Sequence, residues 1–278
     1  MSKIYDALEK LKLEKANEQP SEVKPEENNN NIDEIIPDDA LIMKAAISDM
    51  SQPDLLTDRE RAEMRIIGPQ MSDRRVFNAF RDLRTTVIQN VKTSSPIIMV
   101  TSSTYGSGSS FVATNLAAAI AMDGTKTSLL VDCNLDNPQS CKLSKSENPL
   151  GLIDYLEDSE RSIEEIISPT GIPRMRLITA GEKDANKSEF FTSKRLHFLF
   201  EKIKERYDQR FIIVDAPPIN ENADARILSE VCDYVILVVP YGKVNNEAVL
   251  NTARVIGKEK LLGAVFNNEP RTPAMSWQ

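Results

Sequence analysis

The sequence predicts an α/β domain in which a doubly wound, mostly parallel sheet lies between two layers of helices. Short apolar runs alternate with helical patterns from about residue 72 onward, and the runs are apolar throughout, as strands buried on both faces are. A glycine-containing loop follows the first run, and ligands bind at the carboxyl ends of such strands. The predicted strands cover residues 97–101, 127–132, 175–179, 210–215, 234–239 and 261–266.

Apolar residues at helical spacing between these strands predict the connecting helices. The first helix precedes the sheet and carries several arginines, among them Arg81 and Arg84. The predicted helices cover residues 74–91, 108–122, 150–157, 162–167, 193–207, 221–231 and 244–256.

The N-terminal residues predict a separate amphipathic helix over residues 1–16. Ile4 and Leu8 lie at helical spacing, Tyr5 flanks them, and charged residues fill most other positions. A helix this short is marginal by itself in water, so we expect it to dock on a partner or on the main domain. A frayed terminus is the alternative.

Composition divides the remainder of the chain. The stretch 17–35 is rich in Glu, Asn, Pro and Ser, which predicts that residues 17–71 form an acidic flexible linker with short helical segments. The predicted domain covers residues 72–268, and residues 269–278 are a tail.

Charge and hydropathy exclude several classes of function. The 278 residues carry a net charge of -8, which argues against a nucleic-acid partner. No apolar run reaches the roughly 20 residues that span a bilayer, and the start of the chain does not resemble a signal peptide. The three cysteines have no CxxC spacing. These features predict a cytoplasmic protein with no cysteine-based metal site.

The loop over residues 102–110 has the pattern of a phosphate-binding loop without its lysine. In the pattern G-x-x-x-x-G-K-[ST], the lysine falls at position 109, which is serine here. Gly106 and Gly108 allow backbone amides to approach phosphate oxygens, and the following helix directs its positive end toward them. The predicted nucleotide-binding residues are Gly106, Ser107, Gly108, Ser109, Ser110 and Phe111, and a glycine-serine connection without a ligand is the alternative.

Two acidic residues end predicted strands at the same edge of the sheet. Asp132 follows Leu129-Leu130-Val131, and Asp215 follows Phe211-Ile212-Ile213-Val214 and precedes Ala-Pro-Pro. The second of these is a Walker B pattern, in which the acid holds Mg²⁺ directly or through water. We therefore predict a Mg²⁺ site formed by Ser110, Asp132 and Asp215.

Together these motifs resemble the deviant-Walker P-loop ATPases, and more closely the bacterial tyrosine kinases of capsule and exopolysaccharide synthesis. The resemblance extends over residues 1–16 and about 74–268. The segments that carry it are Met1–Lys10, Phe80–Thr85, Ala113–Ala117, Asp132–Pro138, Gly151–Leu156 and Asp215–Pro218.

The resemblance implies ATP or ADP and Mg²⁺ as cofactors, and Asp132 as the catalytic residue of an active member. It also implies that Asn267 contacts the adenine. Arg81 and Arg84 match an oligomer motif of the family, so the implied interface comprises these arginines and the helix with Ile4, Tyr5 and Leu8.

Departures from the family pattern fall at functional positions. Ser109 replaces the lysine, Asn134 replaces a second acid, Asn78 replaces the glutamate of the oligomer motif, and the sequence ends without a tyrosine cluster. These changes predict a catalytically degenerate member. Lys126, Lys142 or an arginine of a neighbouring subunit is the possible replacement cation.

The sequence therefore predicts a cytoplasmic regulator of polysaccharide synthesis and export, held at the inner membrane by a polysaccharide co-polymerase. A homo-oligomer, or a hetero-oligomer with an active kinase paralogue, is the expected assembly. Three alternatives stay open: an active tyrosine autokinase that uses a displaced cation, a partition- or division-type positioning ATPase, and a nucleotide-free adaptor.

Overall fold

A computed structural model describes residues 55–146, 149–181, 191–206 and 209–270, and these belong to a compact unit over Ser51–Gln278. The predicted N-terminal helix with Ile4, Tyr5 and Leu8 lies outside the described residues, as does the tail from residue 271 onward.

The sheet has seven strands in the order β3-β4-β2-β5-β1-β6-β7. The two-residue edge strand β3 is antiparallel to β4, and every other pair is parallel. The doubly wound, mostly parallel fold is therefore confirmed. The strands are β1 (Ile97–Ser102), β2 (Thr127–Asp132), β3 (Ser168–Pro169), β4 (Met175–Ile178), β5 (Arg210–Asp215), β6 (Tyr234–Pro240) and β7 (Leu261–Asn267).

The helices agree with the predicted segments to within about two residues at each end. The helix over Asp58–Glu63 and the 3₁₀ turn over Ser140–Leu143 had no individual prediction. The helices are α1 (Asp58–Glu63), α2 (Arg74–Asn90), α3 (Ser109–Ala121), α4 (Leu152–Glu157), α5 (Ile163–Ile166), α6 (Lys194–Arg206), α7 (Ala223–Val231) and α8 (Asn246–Ile256).

The centre of the core is formed by β1, β2 and β5, in which every residue is buried. Helix α3 packs against them with the alanine-rich segment Ala117–Ala121, whose small side chains let the helix lie close to the sheet. Helix α2 covers α3, and the rings of Phe80 and Phe111 meet edge to face with centroids 5.6 Å apart. These contacts fix the start of α3 relative to the sheet.

Residues before the predicted domain boundary at residue 72 also contribute to the core. Ile66 and Ile67 are buried, and the side-chain amide of Asn115 in α3 both accepts and donates a hydrogen bond to the backbone of this segment. The Ile67 amide donates to Asn115 Oδ1 at 2.8 Å, and Asn115 Nδ2 donates to the carbonyl of Arg65 at 3.1 Å. Part of the predicted linker is therefore integrated into the core.

Within the described ranges, no helix combines the length and the apolar character that crossing a bilayer requires.

Candidate nucleotide and magnesium site

The loop between β1 and α3 is closed by its own hydroxyl groups. Ser107 Oγ donates to the carbonyl of Thr104 at 2.6 Å, and Ser102 Oγ donates to the same carbonyl at 2.9 Å. Gly106 and Gly108 have φ angles of 70° and 83°, a conformation that glycine adopts without the steric cost of a Cβ. The sequence therefore folds here into a compact turn.

Helix α3 begins directly at this turn and has no side-chain cap. Its N-cap is Gly108, which has no side chain to accept a hydrogen bond from the first turn of the helix. The leading amides of a helix need an acceptor, and together with the helix dipole they favour an anion. Thirteen residues make α3 long enough to supply that dipole. The start of α3 therefore has the chemistry of a phosphate site.

Asp132 and Asp215 lie side by side at the carboxyl ends of β2 and β5. They are register partners in the parallel pair, and both are buried. Asp132 accepts hydrogen bonds from the backbone amides of Asn134, Gln139 and Ser140, each at 3.1 Å. The Ser140 hydroxyl donates a fourth bond at 2.6 Å. Asp132 is therefore held rigidly in place.

The environment of the two carboxyl groups disfavours their simultaneous ionisation. Burial raises the pKa of Asp132, and the hydrogen bonds from Ser140 oppose that change. Burial and the neighbouring Asp132 raise the pKa of Asp215 well above its ordinary value, while a hydrogen bond from the Ser110 hydroxyl lowers it. A divalent cation between such carboxylates would offset both their desolvation and their mutual repulsion.

Three buried oxygen atoms at this edge of the sheet have no hydrogen-bond partner among the described residues: Ser103 Oγ, Asn134 Oδ1 and Asp215 Oδ1. Buried polar atoms are nearly always hydrogen-bonded in folded proteins, so these three oxygen atoms are positions for a bound water, ion or ligand. Each belongs to a strand end or the loop after it, in β1, β2 and β5 respectively. They indicate that this edge is built to receive a ligand.

Magnesium fits the donor set. Mg²⁺ prefers oxygen ligands, usually one or two carboxylates completed by phosphate oxygens and water. Asp215 and Asp132 supply the carboxylates, and Ser110 supplies a hydroxyl beside Asp215. Within the described ranges, no group of three or more His, Cys, Asp or Glu side chains is arranged to hold a metal. The ion would therefore depend on nucleotide phosphates for its remaining ligands.

The lysine position of the loop carries no charge in this structure. Ser109 is the first residue of α3, and its side chain is buried. In the part of the chain that the structure describes, no lysine or arginine forms an ion pair with Asp132 or Asp215. The uncapped backbone amides at the start of α3 are the positively polarised groups of the loop itself.

Lys126, one of the candidate replacement cations, lies at the opposite edge of the sheet from Asp132 and Asp215. Lys126 directly precedes β2, and its Nζ donates to Gln209 Oε1 at 2.9 Å, where Gln209 directly precedes β5. Both residues lie at the amino ends of their strands, and Asp132 and Asp215 lie at the carboxyl ends. Strands of six residues separate the two edges by about 17 Å. Lys142 is exposed in the 3₁₀ turn that begins at Ser140.

Two other predicted nucleotide contacts have specific positions in the structure. The ring of Phe111 packs against the ring of Phe80, so only the backbone of Phe111 is placed to contact a nucleotide at the loop. Asn267, at the end of β7, donates from Nδ2 to the carbonyl of Ser107 at 2.9 Å. Asn267 therefore lies against the phosphate loop, although no sequence pattern predicted this particular bond.

The predicted interface arginines are engaged with their own domain. The guanidinium of Arg81 lies 5.8 Å from the centroid of the Phe77 ring. Arg84 Nη1 donates to the carbonyl of Ala119 at 3.2 Å, near the end of α3. Arg81 is exposed and Arg84 is half-buried, so Arg81 is the more accessible of the two.

Ser140 is a site residue that sequence reasoning missed. It follows a proline-containing loop and has no motif of its own, so only the fold brings it to Asp132.

The sequence is similar to a known protein family and to several bacterial tyrosine-protein kinases. Residues 95–261 match the model of a family described as AAA domain. The chain is 32% identical over 193 residues to tyrosine-protein kinase YwqD of Bacillus subtilis (strain 168), covering 68% of this chain and 80% of YwqD. It is 31% identical over 194 residues to tyrosine-protein kinase CpsD of Streptococcus agalactiae serotype III (strain NEM316), covering 69% of this chain and 80% of CpsD.

Solved structures show the same similarity. The kinase domain of Escherichia coli tyrosine kinase ETK superimposes with a TM-score of 0.62 at 27% identity, covering 72% of this chain and 80% of that domain. The chimerical protein CapA2B2 superimposes with a TM-score of 0.66 at 25% identity, covering 84% of this chain and 100% of the chimaera.

Proposed function

This chain belongs to the bacterial tyrosine-protein kinases, and we propose that it is a member that binds ATP or ADP with Mg²⁺ but has lost phosphoryl transfer or retains it only weakly. Its role would be regulatory, with nucleotide occupancy setting the state of the protein. The observation that carries the proposal is the replacement of the loop lysine by Ser109 beside a carboxylate pair that is intact.

The binding half of this proposal rests on groups that the substitution leaves in place. The glycine turn, the uncapped start of α3 and the Ser110–Asp215 pair remain. Backbone amides and the helix dipole can hold a triphosphate without a side-chain cation. The oxygen atoms of Ser103, Asn134 and Asp215 that lack partners support a ligand at the same edge.

The catalytic half rests on two losses of charge. The lysine would neutralise negative charge that develops on the transferred phosphoryl group. Removing one such electrostatic contact from an active site typically costs roughly 3–4 kcal/mol of transition-state stabilisation, or about 10²- to 10³-fold in rate. Asn134 is the second loss, because an amide cannot accept the proton of an attacking hydroxyl as a carboxylate does.

Asp132 would have to act alone if the chain were an active kinase. Its carboxylate already accepts four hydrogen bonds, three of them from backbone amides. Those donors hold it in a fixed position suited to a metal site, directly or through water. We therefore assign Asp132 to Mg²⁺ binding in this chain.

We also propose that the protein works in capsule or exopolysaccharide synthesis, bound in the cytoplasm to a membrane polysaccharide co-polymerase. The family resemblance supports this partner, and the exposed Arg81 on α2 is a candidate contact within the described residues. An assembly with further copies or with an active paralogue is consistent with the same surface.

Calorimetric titration of the purified protein with ATP and with ADP, each with Mg²⁺, tests the binding half. We expect saturable heat and a matching upward shift of the thermal transition. If the titration gives no heat and the thermal transition does not shift, a nucleotide-free adaptor is the function that remains. ATP turnover that disappears in Asp215→Ala would contradict the catalytic half and favour an active autokinase with a displaced cation.

A further inference from the structure

Asn267 connects the edge of the sheet to the phosphate loop. It is the last residue of β7, the edge strand next to β6, and it lies 160 residues from its hydrogen-bond partner Ser107 in the sequence. Its Nδ2 donates to the Ser107 carbonyl at 2.9 Å. In the described residues, this is the one side-chain bond from β7 to the loop.

The backbone of Asn267 is held as firmly as its side chain. The Tyr241 amide, in the turn after β6, donates to the Asn267 carbonyl at 2.8 Å. The side chain also fills the space next to Gly108, where an added Cβ would lie 2.2 Å from Asn267 Nδ2. Asn267 is therefore held by the turn that contains Tyr241 and packs closely against the loop at Gly108.

The hydrogen bond from Asn267 to the Ser107 carbonyl also sets the direction of the Gly108 amide. The peptide between Ser107 and Gly108 is planar, and in a trans peptide the C=O and N–H groups point in opposite directions. When Asn267 holds the Ser107 carbonyl on its own side, the Gly108 amide must point to the other side of the loop. Amides turned in one direction are what a phosphate cradle requires.

We propose that Asn267 is a positioning residue that fixes the Ser107–Gly108 peptide in the orientation that binds phosphate. This role rests on the proposed nucleotide binding and is separate from any contact between Asn267 and the base. It matters more in this chain than in a loop that has its lysine, because here the amides must hold the phosphates without a side-chain cation.

An uncharged amide suits this task. Asparagine can donate to a carbonyl at short range, whereas aspartate would place a second acceptor against Ser107 and a negative charge near the phosphates. Leucine has nearly the same size and cannot donate. Replacing Asn267 by alanine and by leucine therefore separates the hydrogen bond from simple packing against Gly108.

The experiment compares two ligands, ATP with Mg²⁺ and inorganic tripolyphosphate with Mg²⁺, the second of which has no base. In Asn267→Ala and Asn267→Leu we expect the affinity for both ligands to fall by the same factor, roughly tenfold for one lost hydrogen bond. The matched control is Asn251→Ala, an exposed asparagine on α8, and it should bind both ligands as the wild type does.

Any one of four results would overturn the inference. Loss of ATP affinity with unchanged tripolyphosphate affinity would mean that Asn267 contacts only the base. Wild-type affinity in Asn267→Leu would assign the effect to packing. A wild-type protein that binds neither ligand would reject this role together with the proposed function, whereas binding by the wild type and both variants alike would reject this role alone. Thermal transitions of the ligand-free variants confirm that each one is folded.

Discussion

Replacing Asp215 by asparagine should stabilise the ligand-free protein and abolish its stabilisation by Mg²⁺ and nucleotide. The Asp215 carboxyl is buried next to Asp132, and its Oδ1 has no hydrogen-bond partner. Asparagine is close to it in shape, removes the repulsion and can donate a hydrogen bond to Asp132. The substitution therefore removes a cost of folding while deleting a predicted metal ligand.

The size of the effect follows from the raised pKa of Asp215. A carboxyl group whose pKa is higher in the folded state binds its proton more tightly there, so it favours folding at low pH. As pH rises above the unfolded value, near 4, the free energy of unfolding falls until pH passes the folded pKa. For one such group the slope is at most about 1.4 kcal/mol per pH unit. Asp215→Asn should remove this slope and leave the smaller contribution of Asp132, whose pKa is also raised.

Denaturant unfolding at several pH values between 4 and 8, with and without Mg²⁺ and ATP, measures both effects. With ligand at about 100 times its dissociation constant, the wild type should gain roughly 2.7 kcal/mol, and Asp215→Asn should gain nothing. The matched control is Asp82→Asn, an exposed carboxyl on α2, which should change stability by less than about 0.5 kcal/mol at every pH. A ligand-free Asp215→Asn protein that is less stable than the wild type at pH 8 would refute the reasoning.

The remaining predictions concern the loop and the early segment of the domain. Gly108→Ala should weaken nucleotide binding by more than about tenfold, because its Cβ would lie 2.2 Å from Asn267 Nδ2, would displace that side chain, and would stand at a φ of 83°. Gly106→Ala meets open space and should cost only the roughly 1–2 kcal/mol of its left-handed conformation. Equal loss of ATP affinity in both variants, measured by calorimetry, would contradict this. Asn115→Ala should lower the free energy of unfolding by about 1–3 kcal/mol, because it leaves the buried Ile67 amide without its acceptor, and should admit proteases near residue 67. Wild-type stability and protease resistance would show that Asn115 does not hold this segment.

The sheet was predictable because its strands carry an unambiguous pattern. Long apolar runs ending in a polar residue, as at Asp132 and Asp215, mark buried parallel strands and their carboxyl ends. The edge strand β3 was missed because two residues, Ser168 and Pro169, are too few to show any periodicity. Its pairing is decided by β4, which the local sequence does not reveal.

The candidate site was predictable where a motif is local and unpredictable where the fold assembles it. The loop and the two acids follow from short patterns. The donor Ser140 comes from a turn with no pattern. Lys126 and Lys142 stayed open as replacement cations in the sequence, and the structure separates them from the carboxylate pair only through the partners and exposure of their side chains.

The early segment shows the same limit. The composition of residues 55–71 resembles a linker, but Leu56, Ile66 and Ile67 are buried, and the Ile67 amide donates to the distant Asn115. Contacts between residues 48 positions apart cannot be inferred from local propensity.

The most direct test of the account is ATP hydrolysis and binding in Ser109→Lys compared with the wild type. We expect both proteins to bind Mg²⁺ and ATP, and we expect the lysine of Ser109→Lys to raise the single-turnover rate by about 10²- to 10³-fold. A wild-type rate equal to that of Ser109→Lys, and lost in Asp215→Ala, would show that the natural chain already drives the reaction without this lysine.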